Sequence, residues 1–173
     1  MLVRPTAGKA QSGAGRTAPA PISPHLQARL ADDQPMISII TPVYNPPLAI
    51  FQDTLASVIQ QSYSSWEWCI ANASDEPELN KFITSCAEKD SRIKVKKLEK
   101  NLGIAANTNA ALGLACGDYV LMLDHDDLLS PQALFQIFKA IVSNPEAELI
   151  YYDEDKISAD KKMREEPWFK PPV

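Results

Sequence analysis

What the chain lacks narrows it first. No glycine stands between Gly15 and Gly103, which excludes a phosphate-cradling glycine loop after the first strand, of either the dinucleotide or the P-loop kind. No stretch approaches the roughly 18 consecutive apolar residues of a membrane span, so any membrane association, such as at the inner face of a membrane, is peripheral or through a partner. Cysteine is scarce: Cys69, Cys86 and Cys116 are odd in number and show no Cys-x-x-Cys pairing, and they read as reduced, buried thiols of a cytoplasmic protein. Positive charge is not in excess either. The formal charge of −5 disfavours a nucleic-acid footprint, and Lys94, Lys96, Lys97 and Lys100 read as the solvated face of a strand and its exit.

What is present suffices for one domain. The chain has 173 residues, 45% of them apolar and 23% charged, enough for a full core. Residues 1–35 differ in character: Pro5, Pro19, Pro21, Pro24 and Pro35, with Gly8, Gly13 and Gly15, leave little to bury, and a disordered tail or linker is expected. This Arg-containing, acid-poor start lacks the apolar run of a secretion signal and any clear amphipathic helix before Leu26.

From residue 36 onward, strand-like runs alternate with helical periodicity. Met36 to Thr41 reads as a buried strand, and Leu48, Phe51, Leu55, Val58 and Ile59 mark one face of a helix. Trp66 to Ala71 is a second strand, in which Trp66 and Trp68 share a face and read as core. Leu79, Phe82, Ile83 and Cys86 repeat at helical spacing behind a cap at Ser74 or Asp75, and Arg92 to Leu98 forms a third, more exposed strand. A short helix follows Gly103 and ends near Gly117. Tyr119 to Leu123 is a fourth strand, Leu134 to Val142 a helix, and Leu149 to Tyr152 a fifth strand. This alternation predicts an α/β fold, a mostly parallel sheet with helices on both faces.

In such a sheet ligands bind beyond the carboxyl ends of the strands, where strand order reverses. The polar residues follow that rule: Thr41-Pro42-Val43-Tyr44-Asn45, Asn72 to Asp75, Asp124-His125-Asp126-Asp127 and Asp153-Glu154-Asp155 each close a strand. In an extended segment, residues two apart point to one side about 6.6 Å apart, which would let Asp124 and Asp126 face one hard cation while Asp127 points elsewhere. Ser130 and Pro131 already provide a cap and first position for the next helix, so the carboxylates are not needed to complement its dipole. Without a glycine loop, an anionic ligand in this acidic crevice must be neutralised by a divalent cation, and the site suits a metal-bridged diphosphate.

Five segments together resemble the family 2 glycosyltransferases, whose nucleotide-sugar-binding domain has the Rossmann-like GT-A fold. They are Ile37 to Asn45; Gln61-Ser62-Tyr63 with Trp66-Glu67; Asn101-Leu102-Gly103-Ile104 through Leu112; Gly117-Asp118-Tyr119 through Asp127; and Tyr152-Asp153-Glu154-Asp155-Lys156. Their form is most similar to the O-antigen and rhamnan-type branch, enzymes of cell-envelope polysaccharide synthesis. The resemblance implies metal-assisted, inverting transfer of a sugar from a nucleotide-diphosphate donor to a glycan or lipid-linked acceptor, with Mn²⁺ or Mg²⁺ held by Asp126 and Asp124. It also implies that Asp124 lies near the sugar and ribose, that Thr41, Pro42, Tyr44, Asn45 and Asn72 line the base and ribose subsite, that Asn109 orders the crevice, and that Asp153 and Asp155 support the acceptor side or the metal.

Two departures stand out. Asn72 occupies a position where the family commonly has an Asp, which removes a charge from a base contact. Family members also continue past Lys170-Pro171 into a half carrying the general base, which is not identified in this chain. The sequence therefore also admits a nucleotide-sugar-binding fragment that is catalytically incomplete. A more remote alternative is a Mg²⁺-dependent phosphatase or receiver-type domain, but those folds put key carboxylates at the first strand, where Thr41 to Asn45 stand.

Overall fold

The computed structural model describes residues 2–3, 34–158 and 164. Six strands form one sheet: β1 (Leu2–Val3), β2 (Ile37–Val43), β3 (Trp66–Asn72), β4 (Ile93–Lys97), β5 (Tyr119–Met122) and β6 (Leu149–Ile150). Among the described residues, four helices lie between β2 and β6: α1 (Leu48–Ile59), α2 (Pro77–Lys89), α3 (Ile104–Leu112) and α4 (Ala133–Ser143). The strand order is β4-β3-β2-β5-β1-β6. The chain thus builds outward from β2 through β3 to β4, then crosses back to lay β5 on the other side of β2. That reversal between β2 and β5 is the topological switch point, and β2, β3, β4 and β5 run parallel.

Side-chain alternation sends each strand's residues to two faces, and both faces are covered. On one, Ile37, Ile39, Val43, Trp66, Trp68, Ile70 and Leu121 pack with Phe51 and Val58 of α1, Leu79 and Ile83 of α2, and Leu134 and Phe138 of α4. Phe51 stacks on Trp68 with ring centroids 5.7 Å apart, and Tyr63 stacks on Phe138 at 4.8 Å. Both tryptophans are core, as their shared face predicts. The other face is built from smaller residues, Ile40, Cys69, Ala71 and Val120, against Ala111 of α3. Each fully buried Ile or Leu in these layers contributes about 1.5–3 kcal/mol.

The opposite face also carries a buried polar cluster that composition does not announce. Glu67, 3% exposed, accepts hydrogen bonds at Oε1 from Ser38 Oγ at 2.6 Å and from the Cys116 amide at 2.5 Å. Its Oε2 pairs with Lys94 Nζ at 2.5 Å. Gly117 donates its N–H to Ser38 Oγ, and a Cβ there would come within 2.6 Å of the Met36 carbonyl oxygen, so only glycine fits. The cluster anchors the turn that leads α3 into β5.

Several expectations shift. Residues 4–33 of the expected 1–35 tail lie outside the described residues, but Leu2 and Val3 pair antiparallel with both β5 and β6. β6 contains two residues, whereas Leu149 to Tyr152 were expected. Joined through two antiparallel steps, it runs in the same direction as β5. α3 stops at Leu112 with Gly113 as its C-cap, short of Gly117. α2 starts at Pro77 behind Glu76, since proline's fixed φ suits the first helical position. α4 starts at Ala133 with no side-chain cap, so Ser130 does not fill that role. Cys69 and Cys86 are buried, as expected, while Cys116 is exposed on the turn after α3. Of the four lysines expected on the surface, Lys94 holds Glu67, and Lys97 donates to the Ser74 carbonyl and to Asn80 Oδ1.

Candidate active site

The switch point brings two strand exits side by side. Leu123 N donates to Ile40 O at 3.1 Å and carries the pairing of β5 with β2 to the edge of the sheet. There β5 has already ended, and Asp124 to Asp127 form a turn closed by Asp127 N to Asp124 O at 3.2 Å. The expected extended Asp124-x-Asp126 pair is therefore a turn, because the ladder that would keep it extended stops at Met122. All three aspartates of the turn are exposed.

Asp127 lies within electrostatic reach of the others. Partial withdrawal from water raises its pKa, and the charges of Asp124, Asp126 and Glu154 raise it further. Tyr152 is raised by burial and then by Asp127, Glu154 and Asp124. The segment after β6 thus brings Tyr152 and Glu154 within electrostatic reach of the acidic turn. Glu154 stands between the expected Asp153 and Asp155 in the sequence. Asp153 is exposed, and Asp155 pairs with Arg164 at 2.6 Å.

Mutually repelling carboxylates on an exposed turn suit a hard divalent cation. Among the described residues, no group of three or more His, Cys, Asp or Glu side chains is arranged to hold a metal by itself. The donor set fits a cation bound by one or two carboxylates and completed by oxygens of a ligand, the manner in which Mg²⁺ commonly meets phosphates.

The remaining residues of the crevice divide between open and committed. Tyr44 is 43% exposed at the exit of β2 and free to lie against a flat ligand. Asn45 adopts φ 47°, a left-handed conformation that asparagine tolerates. Its N–H donates to Ser74 Oγ and its Oδ1 accepts from Asp75 N, tying the exits of β2 and β3 together. Thr41 and Pro42 are buried, and Thr41 Oγ1 accepts the Trp68 indole N–H at 2.8 Å. Asn72 is 2% exposed, and its amide donates to Asn80 Oδ1 while its oxygen accepts from Ser74 N. Both polar atoms of the Asn72 side chain are thus engaged within the protein.

Asn109 is exposed on α3, and the asparagine that organises the neighbouring loop is Asn107. Asn107, 3% exposed, donates to Asn101 Oδ1 at 2.9 Å and accepts from Leu102 N. It lies one helical turn before the buried Ala111, and that i, i+4 relation marks the inward face. His125 was also missed: its Nδ1 is 3.2 Å from the Pro42 carbonyl, and its own carbonyl accepts from Thr54.

Comparison with known proteins accords with this geometry. Residues 38–170 match the model of glycosyl transferase family 2. An O-antigen biosynthesis protein of Myxococcus xanthus is 38% identical over 139 residues, which cover 80% of this chain and 11% of that protein. Among solved structures, S. aureus TarS 1–349 in complex with UDP-GlcNAc superimposes with a TM-score of 0.57 at 26% identity, covering 64% of this chain and 32% of that one. A mannosyltransferase from Pyrobaculum calidifontis, solved with GDP-Man and Mn²⁺, shares the fold with a TM-score of 0.56 at 18% identity, covering 70% of this chain and 38% of that one. The chain spans a minor part of the length of these relatives. It belongs to glycosyl transferase family 2 and has the GT-A fold.

Proposed function

We propose that this domain binds a nucleotide-diphosphate sugar in the crevice between the exits of β2 and β5, for transfer of the sugar to a glycan or lipid-linked acceptor by a metal-assisted, inverting reaction. The observation that carries the reading is the exposed acidic turn at the switch point, which gathers Asp124, Asp126 and Asp127 on four residues beyond the end of β5; Asp127 is raised first by partial burial and then by the charges of Asp124, Asp126 and Glu154. A family relative crystallised with UDP-GlcNAc supports a nucleotide-sugar donor. No described helix is long and apolar enough to cross a membrane.

Asp126 and Asp124 would hold Mn²⁺ or Mg²⁺. When bound, the cation supplies Lewis-acid stabilisation of the diphosphate as the nucleotide leaves. The chain's own residues do the rest of the binding. Tyr44 offers an exposed aromatic face to the base, while Asn45 and Asn72 hold the two strand exits that flank it. Asp124 faces the sugar hydroxyls. The proton of the attacking hydroxyl must pass to a base within hydrogen-bond reach. Asp155 is already engaged, its carboxylate accepting from Arg164 Nη1 at 2.6 Å.

Calorimetric titration of the chain with UDP in Mn²⁺ and in EDTA tests the reading. Binding is expected only with the metal, and Asp126→Asn is expected to weaken it by at least tenfold through loss of a ligand. Equal binding in EDTA would rule the metal-bridged reading out.

A further inference from the structure

Buried helix faces are ordinarily apolar, yet α1 turns Thr54, Ser57 and, just past its end, Gln61 toward the protein. Their three- and four-residue spacings put them on one side of the helix. Thr54 is 0% exposed and Gln61 9%. Each reaches the irregular segment that carries the acidic turn. Thr54 Oγ1 lies 2.9 Å from the His125 carbonyl and 3.3 Å from Ile50 O. Ser57 Oγ accepts from Leu129 N at 3.2 Å and donates to Thr54 O at 2.7 Å. Gln61 Nε2 donates to Ser130 O at 2.7 Å, and its Oε1 accepts from Leu134 N at 3.0 Å. A segment without regular structure has backbone groups to satisfy, and this row of side chains satisfies them in sequence order.

Structural need alone does not explain where the row begins. Its first contact is the carbonyl of the residue between Asp124 and Asp126. The ring of that residue is held from the other side, since Pro42 O can only accept and the proton must therefore sit on Nδ1. The peptide joining the two candidate metal ligands is thus clamped by α1 through its backbone and by the exit of β2 through its side chain.

We propose that Thr54, Ser57, Gln61 and His125 are positioning residues for donor binding: they set the acidic turn in the shape that receives the metal and diphosphate before either arrives. The proposal rests on the donor-binding reading above. Neighbouring carboxylates repel, and a loose turn would let them separate and would have to be ordered on binding. With the turn fixed during folding, that cost does not fall on affinity.

The test uses the whole chain, with UDP in saturating Mn²⁺ as probe. Thr54→Val keeps the shape and removes the hydroxyl, whereas Thr54→Ser keeps the hydroxyl. His125→Phe keeps a ring without its donor, whereas His125→Asn presents Nδ2 near the position of Nδ1. Thr54→Val and His125→Phe are expected to weaken UDP binding about tenfold, the effect of one hydrogen bond. They should also speed amide exchange across residues 124–129. Thr54→Ser and His125→Asn should bind and exchange within about twofold of wild type. A merely structural role would lower the unfolding midpoint while the folded molecules bound UDP normally, and that result overturns the proposal. Failure of the two conservative variants to restore affinity overturns it too. Should Thr54→Val fail to fold, the His125 pair, on a half-buried ring, carries the decision. A wild-type chain that binds no UDP with Mn²⁺ overturns the donor reading, and this role with it; intact binding with unaltered exchange in the variants overturns the positioning role alone.

Discussion

Glu67 illustrates how a single buried charge is tolerated. Burial by itself would raise its pKa, but hydrogen bonds from Lys94, Ser38 and the Cys116 amide outweigh that and hold the carboxyl below its ordinary 4.5. Lys94 is raised above its ordinary 10.5 chiefly by the hydrogen bond to Glu67. A depressed carboxyl contributes stability that is present above its unfolded pKa and lost as pH falls through its folded one. A raised lysine contributes stability that is present below its unfolded pKa and lost as pH rises through its folded one. Between those limits both contributions operate. Glu67→Gln is expected to cost about 2 kcal/mol at neutral pH, the scale of hydrogen bonds to a charged group. Lys94 keeps partial access to water, which holds the loss below that of a fully buried pair. Chemical denaturation of both proteins across pH checks this. The gap should narrow as pH falls below 4.5 and the wild-type carboxyl protonates, and a gap that stays constant would mean that charge is not what matters there. Cys69 is a contrasting case: burial pushes its thiol up to about 12, so it behaves as a small inert core residue.

At the scale of elements, legibility followed the range of the interactions involved. β2 and β3 were readable because all seven residues of each are buried, leaving continuous apolar-rich runs. α1 and α4 were readable from their apolar periodicity. The conformation at residues 124–127 was not, because whether a strand continues depends on the partner's ladder, and β2 pairs only as far as Met122. Which member of an alternating polar run faces the site, Glu154 or its neighbours Asp153 and Asp155, depends on a register that sequence leaves open. β1 was the least accessible, since two residues carry no periodicity and their partners lie far along the chain. Yet β1 is what joins β6 to the sheet: Leu2 faces both Leu121 and Ile150, and Val3 faces Val120 and Leu149. Deleting the first three residues is therefore expected to lower the unfolding midpoint by roughly 3–8 °C, from about 1–2 kcal/mol of ladder hydrogen bonds. It should also speed amide exchange at Leu149 and Ile150. An unchanged thermal midpoint would mean that β6 is held by α4 without β1.

The molecule as a whole joins a rigid half to a lightly held one. β2 and β3 share a seven-residue parallel register at the centre of two packed layers, whereas β6 has a two-residue ladder and leads directly into Tyr152 and Glu154. Local opening free energies should follow that division, with amide exchange slowest in β2 and β3 and fastest from β6 to Ser158. The acidic turn belongs to the rigid half through Thr54 and Pro42, but Glu154, whose charge adds to those of Asp124 and Asp126 on Asp127, comes from the light half. A divalent cation bound there would cancel the repulsion between the two. Mn²⁺ and UDP together are therefore expected to slow exchange at residues 124–127 and 152–154 alike, although more than twenty residues separate the two segments. At ligand concentrations about a hundredfold above Kd, openings that must first release the ligand should slow by up to about a hundredfold. Openings of β4, on the far edge of the sheet, should be much less affected unless they require global unfolding. Exchange mass spectrometry in Mn²⁺, UDP, both and neither separates the possibilities. Protection confined to residues 124–127 would show that Tyr152 and Glu154 are bystanders, and that the acidic turn takes its ligand without the segment that follows β6.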